Sequence, residues 1–309
     1  MSASQRVAAV AGSTLIACLL ASIILLRQID GMRSAATIQE VLYISSPKLL
    51  KRLSLGYNGL LADIYWTRAV QYFGGKHHEG ARHYELLAPL LDITTQLDPH
   101  LSVAYEFGSN FLAPPPPNGA GQPERAIQLV EFGIRNNPND WRLYYDLGFI
   151  YYMNLQEYSK AAAAFLQGSR VPNAHPFLKV LAAQMAEHAG EIQTARLMWL
   201  TTYQTARDPS IRANAVAHLR ALQVDQDVTA LEALVNLYRE KSGRLPASFQ
   251  AMEQAGFLRS LPVDPLGQTY ALEANGQVVV RDPDDLPFIR KGVPQGYVPP
   301  ARPKFLPND

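Results

Sequence analysis

The residues best suited to chemistry in this chain lie in "HHEGARHYE", where His77, His78 and His83 stand with Glu79 and Glu85. Imidazole and carboxylate are zinc ligands, and a site needs them to converge on one point. On a helix, convergence takes a spacing such as H-E-x-x-H, which sets two imidazoles one turn apart on one face. Here the histidines are adjacent or separated by a glycine, so the stretch reads as a solvated turn and no metal ligand is expected. "DPDD" at 282–285 gathers carboxylates without the regular spacing of a calcium loop, and it reads as a turn. Asp63, Glu106 and Asp146 recur at helical positions but are far apart in sequence, so acid–base catalysis is not expected of them. The chain has no G-x-S-x-G elbow and no phosphate loop, and its single cysteine, Cys18, sits in an apolar run. The expectation is a protein that is not an enzyme and carries no cofactor.

Charge excludes another class of partner. Lys and Arg number 28 against 27 Asp and Glu, so no field recruits nucleic acid. A chain of 309 residues can bury a sizeable core, and with one cysteine its fold must be held by packing.

The elements that would position a functional surface begin with "VAAVAGSTLIACLLASIILL", residues 7–26, an uncharged run ended by Arg27. At about 1.5 Å per residue such a helix crosses a hydrocarbon core of about 30 Å. A single membrane anchor over 1–29 is expected, followed by a juxtamembrane connector at 30–54. A competing reading takes "LIAC" at 15–18 as a lipobox, with Cys18 lipidated, although "LLASIILL" after it stays apolar. Flanking charges do not decide orientation, since Arg6 lies before the run and Arg27 and Arg33 after it. A bacterial signal anchor keeps its short tail in the cytoplasm, which places a single-pass chain in the inner membrane with its body in the periplasm.

Ser46 can cap a helix and Pro47 suits its first turn, with apolar residues at helical spacing to Phe73 and a stop at Gly74 and Gly75. From there to 222 no stretch alternates like a strand. A pattern recurs instead. Leu147, Gly148 and Tyr151 are followed by Ala161, Phe165, Gly168 and Pro172. Phe107, Gly108 and Phe111 are followed by Ala126, Val130, Gly133 and Pro138. Ala182, Ala183 and Ala186 precede Gly190, Ala195, Trp199 and Pro209, and a weaker copy runs from Leu61, Ala62 and Tyr65 to Leu87, Leu91 and Pro99.

This pattern resembles the tetratricopeptide repeat (TPR), a unit of about 34 residues in which a small residue lets two helices touch and a proline follows the second. The resemblance covers residues 55–209 as four helical hairpins, each with an apolar face that its neighbour covers. It departs from the family pattern in the insert "APPPPNGAGQPE" at 113–124, expected to stand out as a polyproline II spur, and at Ala186, where the aromatic is missing. A helix in "IRANAVAHLRAL" is expected to cover the last repeat and close a TPR-like domain over 55–222.

The texture then changes. Helices are expected at 227–241 and 247–255, then a hairpin from Tyr270 and Leu272 through Asn275-Gly276 to Val278 and Val280. Residues 223–282, with "LYREKSGRLP" and "GFLRSLPVDPLGQTY", resemble the C-terminal part of a type II secretion pseudopilin and form a small α+β cap. The proline-rich tail at 283–309 is either loose or a strap laid on a surface. The fold class is therefore mainly α: an N-terminal transmembrane helix, a TPR-like α-solenoid, a small α+β C-terminal cap and a Pro-rich tail.

The TPR resemblance implies an inner groove lined by the first helix of each hairpin, at positions not used for packing. Carried over, these are Asp63 and Trp66; Tyr105, Ser109 and Leu112; Arg142, Tyr145, Phe149 and Tyr152; and Gln184. The set is aromatic with an arginine, the composition of binding hot spots, and suits a peptide or amphipathic helix. The opposing possibility is that these aromatics pack on the chain's own N-terminal helix or tail. The functional expectation is a membrane-anchored scaffold or adaptor that binds proteins in a bacterial envelope assembly, secretion- or pilus-related. The alternative is a permanent accessory subunit of a membrane enzyme or electron-transfer complex.

Overall fold

The computed structural model describes residues 14–25, 27 and 46–299, and the protein is mainly helical. Residues 14–25 form a helix, α1, whose side chains are exposed, Leu and Ile among them. The anchor expected at 7–26 lies partly outside the described residues, as does the connector up to residue 45. Among the described residues no helix is long and apolar enough to cross a membrane. The chain divides into two compact units between Leu129 and Val130, inside helix α6.

In the first unit, Ser46 caps α2 (Pro47–Leu53) by accepting from the Leu49 amide, with Pro47 in the first turn. The apolar run does not continue as one helix. It breaks at Ser54–Tyr57, where Leu55 and Gly56 take left-handed φ of 50° and 96° and the Tyr57 amide closes on the Ser54 carbonyl at 2.8 Å. Helix α3 (Asn58–His78) then runs on through Gly74 and Gly75, which were expected to end it. Two glycines weaken a helix by about 1 kcal/mol each. Tertiary packing overrides that here, because Ala62, Tyr65, Ala69 and Tyr72 bury one face of α3 as it packs on α4 (Leu87–Leu97), and His77 is held at the far end by a bond described below.

Helix α2 also rests on α4, and α5 (Ser102–Leu112) follows. A Cβ at Gly108 would lie 2.9 Å from Leu129 and 3.0 Å from Leu91, so this glycine allows a close approach of α5 to both side chains. The insert after α5 is not a protruding spur. Its chain reverses so that the Ala120 and Gln122 amides donate to the Phe111 and Leu112 carbonyls, each at 2.8 Å. The last carbonyls of a helix have no partner of their own, and the insert supplies them. Helix α6 (Pro123–Asn136) comes next.

In the second unit each helix packs on the next from α7 to α11. Asp140 caps α7 (Trp141–Phe149), which runs into a π-helical turn, Ile150–Leu155. Then come α8 (Tyr158–Gly168), α9 (Phe177–His188), α10 (Ile192–Thr205) and α11 (Pro209–Ser242). Most small and aromatic positions of the sequence pattern lie in this core: Gly148, Ala161, Phe165, Gly168, Ala182, Ala183, Ala186, Ala195 and Trp199 are buried, whereas Tyr151 is half-buried and Gly190 is exposed.

Two helices were expected across 209–241, with a domain boundary at 222. One helix crosses that boundary. "QVDQDV" is polar but has no glycine or proline, and Val224 and Val228 continue the buried stripe of Ala221 and Leu222. Gly243, at φ 71°, ends the helix. The expected short helix is α12 (Phe249–Gln254), capped by Ser248. The hairpin pairs β1 (Ala271–Leu272) antiparallel to β2 (Val278–Val279), with Ala271 opposite Val279 and Leu272 opposite Val278. Gly276 makes the turn at φ 89°.

Beyond a short 3-10 turn, Pro283–Asp285, the tail is a strap as far as it is described. Leu286 is buried with Val224, Val228 and Val280, and the Val280 amide donates to the Gly292 carbonyl at 2.8 Å. Residues 300–309 lie outside the described residues.

Candidate protein-binding surface

The first unit redistributes the residues expected to line a groove. Tyr105, Ser109 and Leu112 are buried, so the groove assignment is corrected for all three. The Tyr105 hydroxyl donates to the Pro99 carbonyl at 3.0 Å, and Ser109 Oγ donates to the Glu106 carbonyl at 2.9 Å. Burial, and then the neighbouring Asp98 carboxylate, hold the Tyr105 phenol above its ordinary range. The physical reason is helical phase. Ala104, Gly108 and Leu112 are one turn apart, and Tyr105 and Ser109 adjoin that stripe.

The aromatics assigned to packing, Phe107 and Phe111, are the more accessible ones. Phe111 stacks on Phe73 at 4.1 Å and on Trp66 at 6.2 Å, while Phe107 meets Trp66 at 6.4 Å. Trp66 thus belongs to a half-buried aromatic cluster, and Asp63 is exposed on α3.

The second unit brings its expected residues together. Tyr145 contacts Phe149 at 4.6 Å, Phe149 contacts Tyr152 at 6.1 Å, and Tyr152 contacts Tyr158 at 6.1 Å. Trp141 extends the row at one end, edge-on to Tyr145 at 6.4 Å. His188 of α9 extends it at the other, 5.6 Å from Tyr158. Arg142 is exposed and holds its guanidinium 5.0 Å from the Trp141 ring, a cation–π contact. Gln184 is half-buried, and its carbonyl accepts from His188 Nδ1 at 2.8 Å. Trp141, Tyr145 and Phe149 follow each other at i, i+4, i+8, and that spacing would have added Trp141 to the set. Tyr158 and His188 come from other elements, and no spacing within one helix points to them.

These rings do not stand free of the chain. Phe149 packs on Phe165 at 5.4 Å, which roots the row in the core, while Tyr145 keeps 37 % of its surface exposed. The described tail packs elsewhere, on α11.

A polar cluster that no motif marked lies under the strap. Glu187 and His218 are both buried, and His218 Nδ1 lies 3.1 and 3.3 Å from the two Glu187 oxygens. Trp199 Nε1 donates to the same carboxylate. The imidazole is stacked between Trp199 and Phe288, with ring centroids 4.1 and 4.0 Å away. Arg290 donates to the Glu187 carbonyl at 3.1 Å, and Asp225 Oδ1 accepts from both the Arg290 and the Lys291 amides at 2.9 Å. The arrangement ties α9, α10, α11 and the strap together around one carboxylate.

The histidine turn is used structurally. His77 Nδ1 donates to the Pro117 carbonyl at 2.7 Å, fastening the proline insert to α3. Among the described residues no cluster of His, Cys, Asp and Glu is arranged to hold a metal ion. At "DPDD", Asp282 caps the 3-10 turn and Asp284 accepts from the Tyr297 hydroxyl at 2.7 Å. That hydrogen bond is the main reason the Tyr297 phenol is pushed up to about 12. A scan against protein-family models finds no match, and a search of curated proteins finds none.

Proposed function

We propose that this chain is a membrane-anchored, TPR-like scaffold that binds partner proteins in a bacterial envelope assembly of the secretion or pilus kind. One observation carries the reading: the row Trp141, Tyr145, Phe149 and Tyr152, accompanied by Arg142, presents partly exposed aromatic surface on a helix rooted in the core. Aromatic and arginine side chains dominate binding energy where they are held rigidly, since little rotamer freedom is lost on contact. An amphipathic helix or an extended peptide fits such a row.

The serial packing from α7 to α11, with small residues at the helix contacts, supports the repeat reading. The uncharged run at 7–26 supports a single-pass inner-membrane anchor with a periplasmic body. The sequence resemblance of 223–282 to pseudopilins is the basis for a secretion or pilus setting, and a resemblance in fold alone would not fix function.

The test is affinity purification of the full-length chain from its native membrane, with mass spectrometry of what stays bound. Tyr145→Ala combined with Tyr152→Ala is expected to cut partner recovery by about tenfold or more, with helicity and melting nearly unchanged. Full recovery by the double variant would overturn the assignment. Stoichiometric recovery of an intact complex that survives salt washing would instead make the chain a permanent subunit of a membrane enzyme or electron-transfer complex.

A further inference from the structure

Apolar side chains are exposed around α2 and the start of α3. Leu49 and Leu53 share one face of α2 and are exposed, as are Leu60 and Ile64 on one face of α3. Between them, at the tip of the turn, Leu55 is 86 % exposed and Tyr57 70 %. Leu55 also adopts φ 50°, a left-handed conformation that residues other than Gly, Asn and Asp adopt at a cost. Burial of the side chain does not offset that cost, since Leu55 is exposed.

The turn is nevertheless held. Ser54 is buried, its Oγ lies 2.8 Å from the Lys51 carbonyl and 2.5 Å from Asn58 Oδ1, and its own amide donates to the Leu50 carbonyl at 2.9 Å. Leu50 is buried as α2 rests on α4. A rigid elbow therefore presents leucines to its surroundings.

The charges around it are mostly basic, Asp63 being the one acid within 47–64. Lys48, Lys51 and Arg52 flank the leucines, and no acidic residue occurs from 41 to 62. Exposed leucines backed by cations, with a tyrosine beside them, suit the interface of an anionic bilayer: apolar groups enter the acyl boundary, cations meet the headgroups, and tyrosine sits at their level. The surface lies about twenty residues after the apolar run at 7–26 in sequence.

We propose that residues 47–64 form a second membrane contact, an elbow whose Leu55 tip seats in the interface of an anionic bilayer. The proposal rests on the chain being membrane-associated, and its test separates the two ideas. Cys18 is the only cysteine, so Cys18→Ser with Leu55→Cys gives a full-length chain with one fluorophore at the tip. Cys18→Ser with Gln96→Cys places the same dye at an exposed site on α4 as reference. Both are reconstituted into vesicles of phosphatidylcholine and phosphatidylserine, floated on a density gradient, and quenched with a lipid that carries a nitroxide near the headgroup.

A tip seated about 5–10 Å into the headgroup–acyl boundary is expected to emit at shorter wavelength and to be quenched several-fold more than the reference. Quenching should weaken in Lys48→Gln/Lys51→Gln/Arg52→Gln, since each cation near an anionic surface favours the bound state about fivefold. Flotation with equal quenching at both sites would overturn the elbow and leave the anchor standing. A blue shift without lipid quenching, growing with protein density, would overturn it in favour of a second copy covering the patch. Failure to float would overturn both.

Discussion

One missing methyl group sets the distance between α7 and α8. A Cβ at Gly148 would lie 2.6 Å from Phe165 Cδ1, inside the ring's van der Waals boundary, and Phe165 is fully buried. Gly148→Leu is therefore expected to destabilise the second unit by about 1–3 kcal/mol or more, read as a lower denaturant midpoint, because the ring has nowhere to go. An unchanged midpoint would mean that the two helices separate freely. This contact was legible in the sequence from a small residue followed by an aromatic at the repeat spacing. The lining of the proposed groove was legible only in part. On α5, the sequence "AYEFGSNFL" carries aromatics on both sides of the helix, and Tyr105 and Leu112 look as suited to a groove as Phe107 and Phe111. What decides is the phase of the small residues. Gly108 must face its neighbours, Leu112 one turn on faces the same way, and that phase also buries Tyr105. The buried pair of Glu187 and His218 had no sequence signal, because its partners come from helices and a strap far apart in the chain.

Among the elements, the strap was the least determined by composition. Proline density favours extended chain and says nothing of where that chain lies. Its place is set by side chains on α11, above all Asp225, whose Oδ1 accepts two strap amides. Asp225→Ala removes both bonds and leaves the Phe288 stack and the Arg290 contacts to Glu187. Amide hydrogen exchange at 290–291 is expected to speed up while the amides of α7 and α8 keep their rates; unchanged exchange at 290–291 would show that the aromatic stack alone holds the segment. The continuity of α11 and of α3 was misjudged for related reasons. Polar residues and glycines lower helix propensity by amounts that a buried face outweighs, and the sequence does not reveal how much of that face finds a partner. The hairpin was easier to read, because Asn275-Gly276 fixes a turn locally.

For the whole molecule, the helical class follows from periodicity, whereas the division inside α6 does not, since "PERAIQLVEFGIRN" is an uninterrupted amphipathic segment. Each unit holds a phenol above its ordinary range: Tyr105 in the first and Tyr270 in the second, by burial first and then by Asp98 and Asp227. The unfolded chain ionises its tyrosines at about pH 10 while the folded chain keeps these two protonated, so their stabilisation is complete below about pH 10. It is lost as pH rises toward their folded values. Melting temperature is expected to fall above about pH 10, and Tyr270→Phe should flatten part of that fall. At neutral pH the same variant loses the hydrogen bond to Asp227, at a cost of about 1–2 kcal/mol. An equally steep alkaline fall in Tyr270→Phe would place the sensitivity elsewhere.

The packing around Val224 and Val228 also bears on how the number of helical pairs can change. A stack of hairpins gains or loses members when a copied unit finds a bare helix face to settle on. Along α11 that ground is taken by Val280, Leu286 and Gly292, and a Cβ at Gly292 would already lie 2.8 Å from Val228. A further helical pair could settle on this face of α11 only by evicting the C-terminal segment, so the serial packing that runs from α7 stops here.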